Sequence, residues 1–179
     1  MRTIVAGVLA AVAMFIWSGI GNLALPLGTT GISHAPDEPK AQASLKAVLG
    51  EKSGLYVLPY SAMSGKAPPG PAAVITYLGR GEAFGVTPVK LVGEFIVELA
   101  VSLLAATLLG FTRLQGLLAR TGFVVALGLI AAGMTNASNM IWFAYPLDYT
   151  LAYATIQMIG FLIAGLVIAA VARPRTIAV

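Results

Sequence analysis

The stretch LVGEFIVELAVSLLAATLLG, residues 91–110, decides the fold, because it is almost wholly apolar over the length of a membrane span. A helix needs about 20 apolar residues to cross the hydrocarbon core of a bilayer. Each such stretch must be helical, since lipid offers no partner to open backbone groups and the alternation of a β-barrel strand is missing. The predicted spans are residues 3–25, 89–110, 121–143 and 150–172. We therefore predict an all-α membrane protein with a bundle of four transmembrane helices.

The composition excludes several classes of protein. Hydrophobic residues make up 58% of the chain and charged residues 10%, with a mean hydropathy of +0.88. Soluble domains are about 25% charged, so a water-soluble globule is excluded. With no cysteine and a single histidine, His34, a haem, zinc or iron–sulfur centre would need unusual ligands. His34 lies near Asp37 and Glu38 and could join a weak metal site, but a solvated loop histidine is the simpler interpretation.

The sequence also lacks the motifs of zinc proteases, of serine hydrolases and of phosphate-binding loops. We therefore expect a non-enzymatic protein with no catalytic residue, no resident metal and no cofactor.

The positive charges predict the orientation. One side of the predicted bundle carries no acid, whereas the other carries six basic residues and all seven acids. An excess of Lys and Arg marks the cytoplasmic side, so both termini are expected there and the long loop outside. For the same reason the net charge of +4 predicts topology and not nucleic-acid binding. We expect the first span to be a retained anchor, since its apolar region is about twice as long as a usual signal-peptide core. The basic residues of the first side are Arg2, Arg113, Arg120, Arg173 and Arg175.

Three regions follow from this topology. Residues 1–25 form the first span, residues 26–87 an extracytoplasmic insert, and residues 88–179 the other three spans with short loops and a cytoplasmic C-terminus. Within the insert, Asp37 is placed to cap a short helix over 38–49. Two strand-like runs follow, at 54–60 and 72–80, and predict a β-hairpin with a long connection. The insert is thus predicted to be a small α+β unit.

Polar residues in the spans predict a cluster. Glu94 and Glu98 lie one helical turn apart in the second span, where carboxylates are costly. At about 1.5 Å per residue, polar residues of the other spans fall at similar depths, all in the outer half of the bundle. We infer a polar cluster between the helices that opens to the outside. Its predicted members are Glu94, Glu98, Asn136, Asn139, Gln157, Asn22, Ser18 and Thr135.

Three interpretations of the cluster stay open: structural hydrogen bonds between helices, a site for a ligand or partner, and proton or ion handling. An aromatic belt is also predicted to anchor the chain at the outer interface. The belt consists of Trp142, Tyr145, Tyr149 and Tyr153. Small residues recur every fourth position on three spans and favour close helix packing. These residues are Gly7 and Ala11, Ser102, Ala106 and Gly110, and Gly160 and Ala164.

Three segments carry a resemblance: MFIWSGIGNLALPLG (14–28), GPAAVITY (70–77) and AYPLDYTLAYATIQMIGFLIAGLVIAA (144–170). In this order they resemble a family of small bacterial inner-membrane proteins of unassigned function. The resemblance implies four spans and the bacterial inner membrane, and it implies no reaction. A histidine commonly stands in that family where this chain has Asn22, a departure that argues against histidine-based chemistry at this level.

Two functions are compatible with these features. The first is an accessory or stabilising subunit of a larger membrane assembly, suggested by smooth apolar helices, an exposed insert and missing catalytic motifs. The second is a binding or transport module that holds a small molecule, a cation or a lipid headgroup in the polar cluster. The expected partners are membrane lipids and other integral membrane proteins, and no nucleic acid.

Overall fold

The computed structural model describes residues 1–66, 68–81 and 84–172. The chain divides into two compact units, Met1–Ile32 with Thr87–Val179, and Ser33–Val86. The first unit contains the long helices α1 (Arg2–Gly19), α3 (Pro88–Phe111), α4 (Leu117–Phe143) and α5 (Leu147–Val171). Each is long and apolar enough to cross a membrane when α1 is counted with the turn that extends it to Ala24. The predicted four-helix membrane fold is confirmed.

The first span ends differently from a plain α-helix. Residues Ile20–Ala24 form a π-helical turn, in which the Leu25 amide donates to the Ile20 carbonyl at 2.9 Å. The side-chain amide of Asn22 donates to the Ser18 carbonyl at 2.9 Å. The Asn22 side chain is therefore hydrogen-bonded within its own helix.

Helix starts follow local capping chemistry. The Thr87 hydroxyl accepts from the Lys90 amide at 3.3 Å, and Pro88 occupies the first helical position of α3. Proline suits that position because its missing N–H would have no helical partner anyway. The start of α4 departs from the prediction, since the helix begins at Leu117 and includes Arg120 in its first turns. Arg120 therefore lies in the first turn of α4, at the end of the span as predicted, and its side chain is buried.

The helices pack in the order α4, α5, α1 and α3, and α3 and α4 meet only over a short stretch. Glycines set the close contacts. A Cβ on Gly7 of α1 would lie 2.7 Å from Leu103 Cδ2 of α3. A Cβ on Gly128 of α4 would lie 2.5 Å from Phe161 Cγ of α5. Without large hydrophobic gains between helices in lipid, such close backbone approach is what holds a bundle together.

The core of the first unit is built mainly from small residues. It runs along the half of the bundle where α1 begins and α3 and α5 end. Its buried members are Ala6, Ala10, Met14, Ala105, Ala106, Leu109, Val124, Ala164, Ile168 and Ala172.

The second unit is a short helix and a hairpin. Helix α2 (Glu38–Leu49) begins after Asp37, whose carboxylate accepts from the Lys40 amide at 3.0 Å. Strands β1 (Gly54–Leu58) and β2 (Ala73–Tyr77) pair antiparallel. The helix, its cap and the hairpin are confirmed. Both strands are shorter than predicted: β1 ends before Pro59, where a 3₁₀ turn begins at Tyr60, and β2 ends at Tyr77.

Candidate functional site

A cavity of about 220 Å³ lies within the bundle, lined by residues of α1, α3, α4 and α5. Four residues of the predicted polar cluster line it: Ser18, Glu94, Glu98 and Gln157. At roughly 30 Å³ per water molecule, the cavity has room for about seven waters or one small ligand. Three of its lining residues, Glu94, Val97 and Ala131, are exposed, so the cavity is open to its surroundings.

Glu98 is the buried acid of this cavity. Its side chain is 7% exposed, and it lines the cavity together with Ser18 of α1. Its carboxyl oxygen Oε2 is buried and has no hydrogen-bond partner in the part of the chain that the structure describes. Buried polar atoms are nearly always paired in native proteins, so this oxygen calls for a partner.

Glu94 stands one turn from Glu98 at the exposed side of the cavity, and the two carboxyl groups interact electrostatically. The described residues that line the cavity include no lysine and no arginine. The site therefore brings two carboxyl groups together, with no positively charged side chain among the described lining residues.

Trp17 and Gly160 shape one wall. The Trp17 indole Nε1 donates to the Ile156 carbonyl of α5 at 2.9 Å, which fixes the ring beside the cavity. Gly160 follows one turn later, and a Cβ there would lie 3.5 Å from Met14 Cε and 3.7 Å from Trp17 Cδ1. The missing side chain leaves this part of the cavity open. Sequence reasoning missed Trp17, although its place next to Ser18 puts it at the depth of the cluster.

Asn136 of α4 joins the site indirectly. Its Nδ2 donates to Gln157 Oε1 of α5 at 2.6 Å and to the Ala132 carbonyl at 2.7 Å. The amide pair ties α4 to α5 and orients Gln157, which lines the cavity. This contact is an interhelical hydrogen bond of the structural kind.

The remaining three members of the predicted cluster are not among the lining residues. The Asn22 side chain is hydrogen-bonded within its own helix, and its Nδ2 lies 3.5 Å from Ser18 Oγ. Asn22 therefore contacts a residue that lines the cavity but does not line the cavity itself. Thr135 is exposed and Asn139 is half-buried. Thr135 precedes Asn136 and so points about 100° away from it around the helix. Whether the cluster binds anything stays a prediction.

The aromatic belt forms a chain of ring contacts. The rings of Tyr145 and Tyr149 meet edge to face at 5.3 Å, and those of Tyr149 and Tyr153 stack at 4.6 Å. Trp142 is 79% exposed. The backbone after α1 packs on this belt at Gly31, whose φ of +77° and closeness to Tyr149 leave no room for a side chain.

The other polar residues singled out in the sequence lie elsewhere. His34 Nδ1 lies 3.0 Å from Glu38 Oε1, and both side chains are exposed. Among the described residues, no group of three or more potential metal ligands occurs. Arg173 and Arg175, predicted on the side of Arg2, lie outside the described residues.

Comparison of the chain with protein-family models, curated proteins and solved structures yields no match. The resemblance to a family of small bacterial inner-membrane proteins therefore stays a prediction.

Proposed function

We propose that this protein is a membrane-embedded binding module whose bundle cavity holds a small organic cation, with Glu98 as the principal counter-charge. The proposal rests on the Glu98 carboxyl oxygen Oε2, which is buried and has no hydrogen-bond partner among the described residues. Glu98 lines a cavity that is open to its surroundings. A buried carboxyl group either stays protonated or gains a positively charged partner, and a bound cation would supply that partner.

The lining residues favour an organic cation over a metal ion. Trp17 and Phe161 offer aromatic faces, and Met14 and Val101 add apolar surface. Aromatic rings attract alkylammonium groups through their negative faces. Calcium and magnesium instead take six or more oxygen ligands, which this largely apolar wall does not provide. The expected ligand class is therefore a small amine or quaternary ammonium compound.

The resemblance noted in the sequence suggests the bacterial inner membrane, and the charge distribution supports an orientation with both termini in the cytoplasm and the insert in the periplasm. In that orientation the cavity lies in the half of the bundle nearer the periplasm. A cation from the periplasm or the outer leaflet would then be the one bound.

Tryptophan fluorescence tests the proposal directly, because the chain has only two tryptophans. Trp142→Phe leaves Trp17, in the cavity wall, as the sole reporter. In that background, choline should change the Trp17 emission saturably, whereas its uncharged isostere 3,3-dimethylbutan-1-ol should bind far more weakly. Glu98→Gln should lower choline affinity about tenfold or more, the effect of losing one charge-assisted contact.

Asp148→Asn is the matched control, since it removes one negative charge from an exposed acid that does not line the cavity. It should leave choline affinity within about twofold of the parent. Equal responses to choline and its neutral isostere, or unchanged choline binding by Glu98→Gln, would overturn the proposal.

A second candidate is an accessory or stabilising subunit of a larger membrane assembly. In its most apolar 18-residue window, α3 is only 22% buried and α4 only 28%. Helices α3 and α4 also contact each other only over a short stretch, so each leaves a broad apolar face that a helix of a partner protein could cover. Purification in mild detergent should then give a complex larger than the monomer. A lone monomer, with choline binding intact, would favour the binding module.

A further inference from the structure

We propose a second ligand site in this protein, a pocket for a phosphoryl group built around Arg120 at the other end of the bundle. A cavity of about 360 Å³ lies where α1 and α4 begin and α3 and α5 end. Its lining includes Thr3, Gly110, Thr112 and the Arg120 side chain. This cavity shares no lining residue with the one at Glu98, so the two sites stand independently.

The buried side chain of Arg120 indicates a ligand site. Its side chain is 4% exposed, yet Nε and Nη1 are buried with no hydrogen-bond partner in the described part of the chain. Arginine keeps its charge in proteins, and a buried charge without a partner is strongly unfavourable. A bound anion would supply that partner.

The surroundings of Arg120 favour an anion. No aspartate or glutamate occurs among the described residues that line the cavity. Among the described lining residues, Arg120 carries the only charged side chain, so the cavity offers a positive charge with no acid beside it.

The hydroxyl groups of the cavity leave the guanidinium as the main donor. Thr107 Oγ1 already donates to the Leu103 carbonyl at 2.7 Å, and Thr112 Oγ1 to the Leu109 carbonyl at 2.8 Å. Thr3 lines the same cavity, half-buried, from the first turns of α1. A ligand of this cavity must therefore accept hydrogen bonds from the planar guanidinium group of Arg120.

Phosphoryl oxygens match this group, since a guanidinium binds phosphate through two parallel hydrogen bonds. The cavity lies at the end of the spans, beside the exposed ring of Phe111, where lipid headgroups would meet the protein. A phospholipid headgroup and a soluble phosphate compound share this chemistry. Basic pockets between transmembrane helices are known to suit anionic lipid headgroups.

Native mass spectrometry in a neutral detergent can distinguish a phospholipid headgroup from a soluble phosphate compound as the ligand. The probes are phosphatidylglycerol, diacylglycerol with the same acyl chains, and inorganic phosphate. Retention of phosphatidylglycerol but not diacylglycerol, without competition from inorganic phosphate, identifies the lipid headgroup. Displacement of phosphatidylglycerol by inorganic phosphate identifies a soluble phosphoryl compound. Equal retention of phosphatidylglycerol and diacylglycerol would overturn the proposal.

Two variants tie the binding to the pocket. Arg120→Met should reduce phosphatidylglycerol retention about tenfold, whereas Arg113→Met, which removes the same charge from an exposed residue, should change it less than about twofold. Gly110→Leu leaves every charge in place and fills the cavity, since a Cβ at Gly110 meets nothing within 4 Å. It should also abolish retention, and Gly133→Leu, at an equally open but distant position of α4, should not. Wild-type retention in both Arg120→Met and Gly110→Leu would contradict the proposal.

Discussion

Two ionisable side chains of the spans, Glu98 and Arg120, are each less than a tenth exposed, and each keeps a buried polar atom without a partner among the described residues. They lie on different helices and line different cavities. Ionisable residues inside membranes are rare because they are costly, and they usually mark a pathway or a site. These two residues are therefore the basis of the two binding proposals, a cation at Glu98 and an anion at Arg120.

Gly160 offers a test at the scale of one residue. Gly160→Ala should narrow the cavity without a clash, because the new methyl group would meet Met14 Cε at 3.5 Å. Its effect should be a lower choline affinity with unchanged or slightly higher thermal stability, since alanine favours the helix by about 1 kcal/mol. Trp17 fluorescence titration and circular dichroism melting measure the two quantities.

Gly122→Ala serves as the control, since it gives α4 the same gain in helix propensity at an open position away from the cavity. A similar fall in choline affinity for both variants would show that the Gly160 effect does not arise in the cavity.

At the scale of elements, local signals account for what could be predicted. Apolar runs of span length and the caps at Asp37 and Thr87 depend on neighbouring residues alone, and they located the helices to within a few positions. The π-helical turn at Ile20–Ala24 and the buried position of Arg120 have no such signal in the neighbouring residues. Thr135 was predicted in the cluster from its depth along the span alone. Depth does not tell which way a side chain points around the helix, and the Thr135 side chain is exposed.

The α4–α5 contact gives the element-scale prediction. Gly128→Ala would put a methyl group 2.5 Å from Phe161 Cγ and 2.6 Å from its Cβ, so the ring or the helix must shift. Overpacking of this kind costs about 1–3 kcal/mol. The free energy of unfolding, measured by titration with denaturing detergent, should fall by that amount.

Gly133→Ala adds the same methyl group on α4 where nothing lies within 4 Å. It should be neutral or slightly stabilising. Equal destabilisation by both variants would mean that the Gly128 contact with Phe161 does not hold the two helices together.

At the scale of the whole molecule, the proposed orientation follows from the positive charges, and the absence of cysteine makes it easy to test. Single cysteines at Ser44 in α2 and at Gln115 in the α3–α4 loop create unique labelling sites. A membrane-impermeant maleimide on intact spheroplasts should label Ser44→Cys at once and Gln115→Cys only after the membrane is opened. The reverse pattern would place the insert in the cytoplasm and invert the proposed topology.

Helices α3 and α4 contact each other only over a short stretch, and this affects how a ligand would reach Glu98. The exposed Val97 and Ala131 border the cavity from these two helices, so in a membrane the opening between them would face the acyl chains of the lipids. A molecule dissolved in the leaflet would enter through this lateral portal without returning to water. Occupancy would then follow the partition coefficient of the molecule as well as its intrinsic affinity, and lipophilic amines would outcompete hydrophilic ones of equal charge.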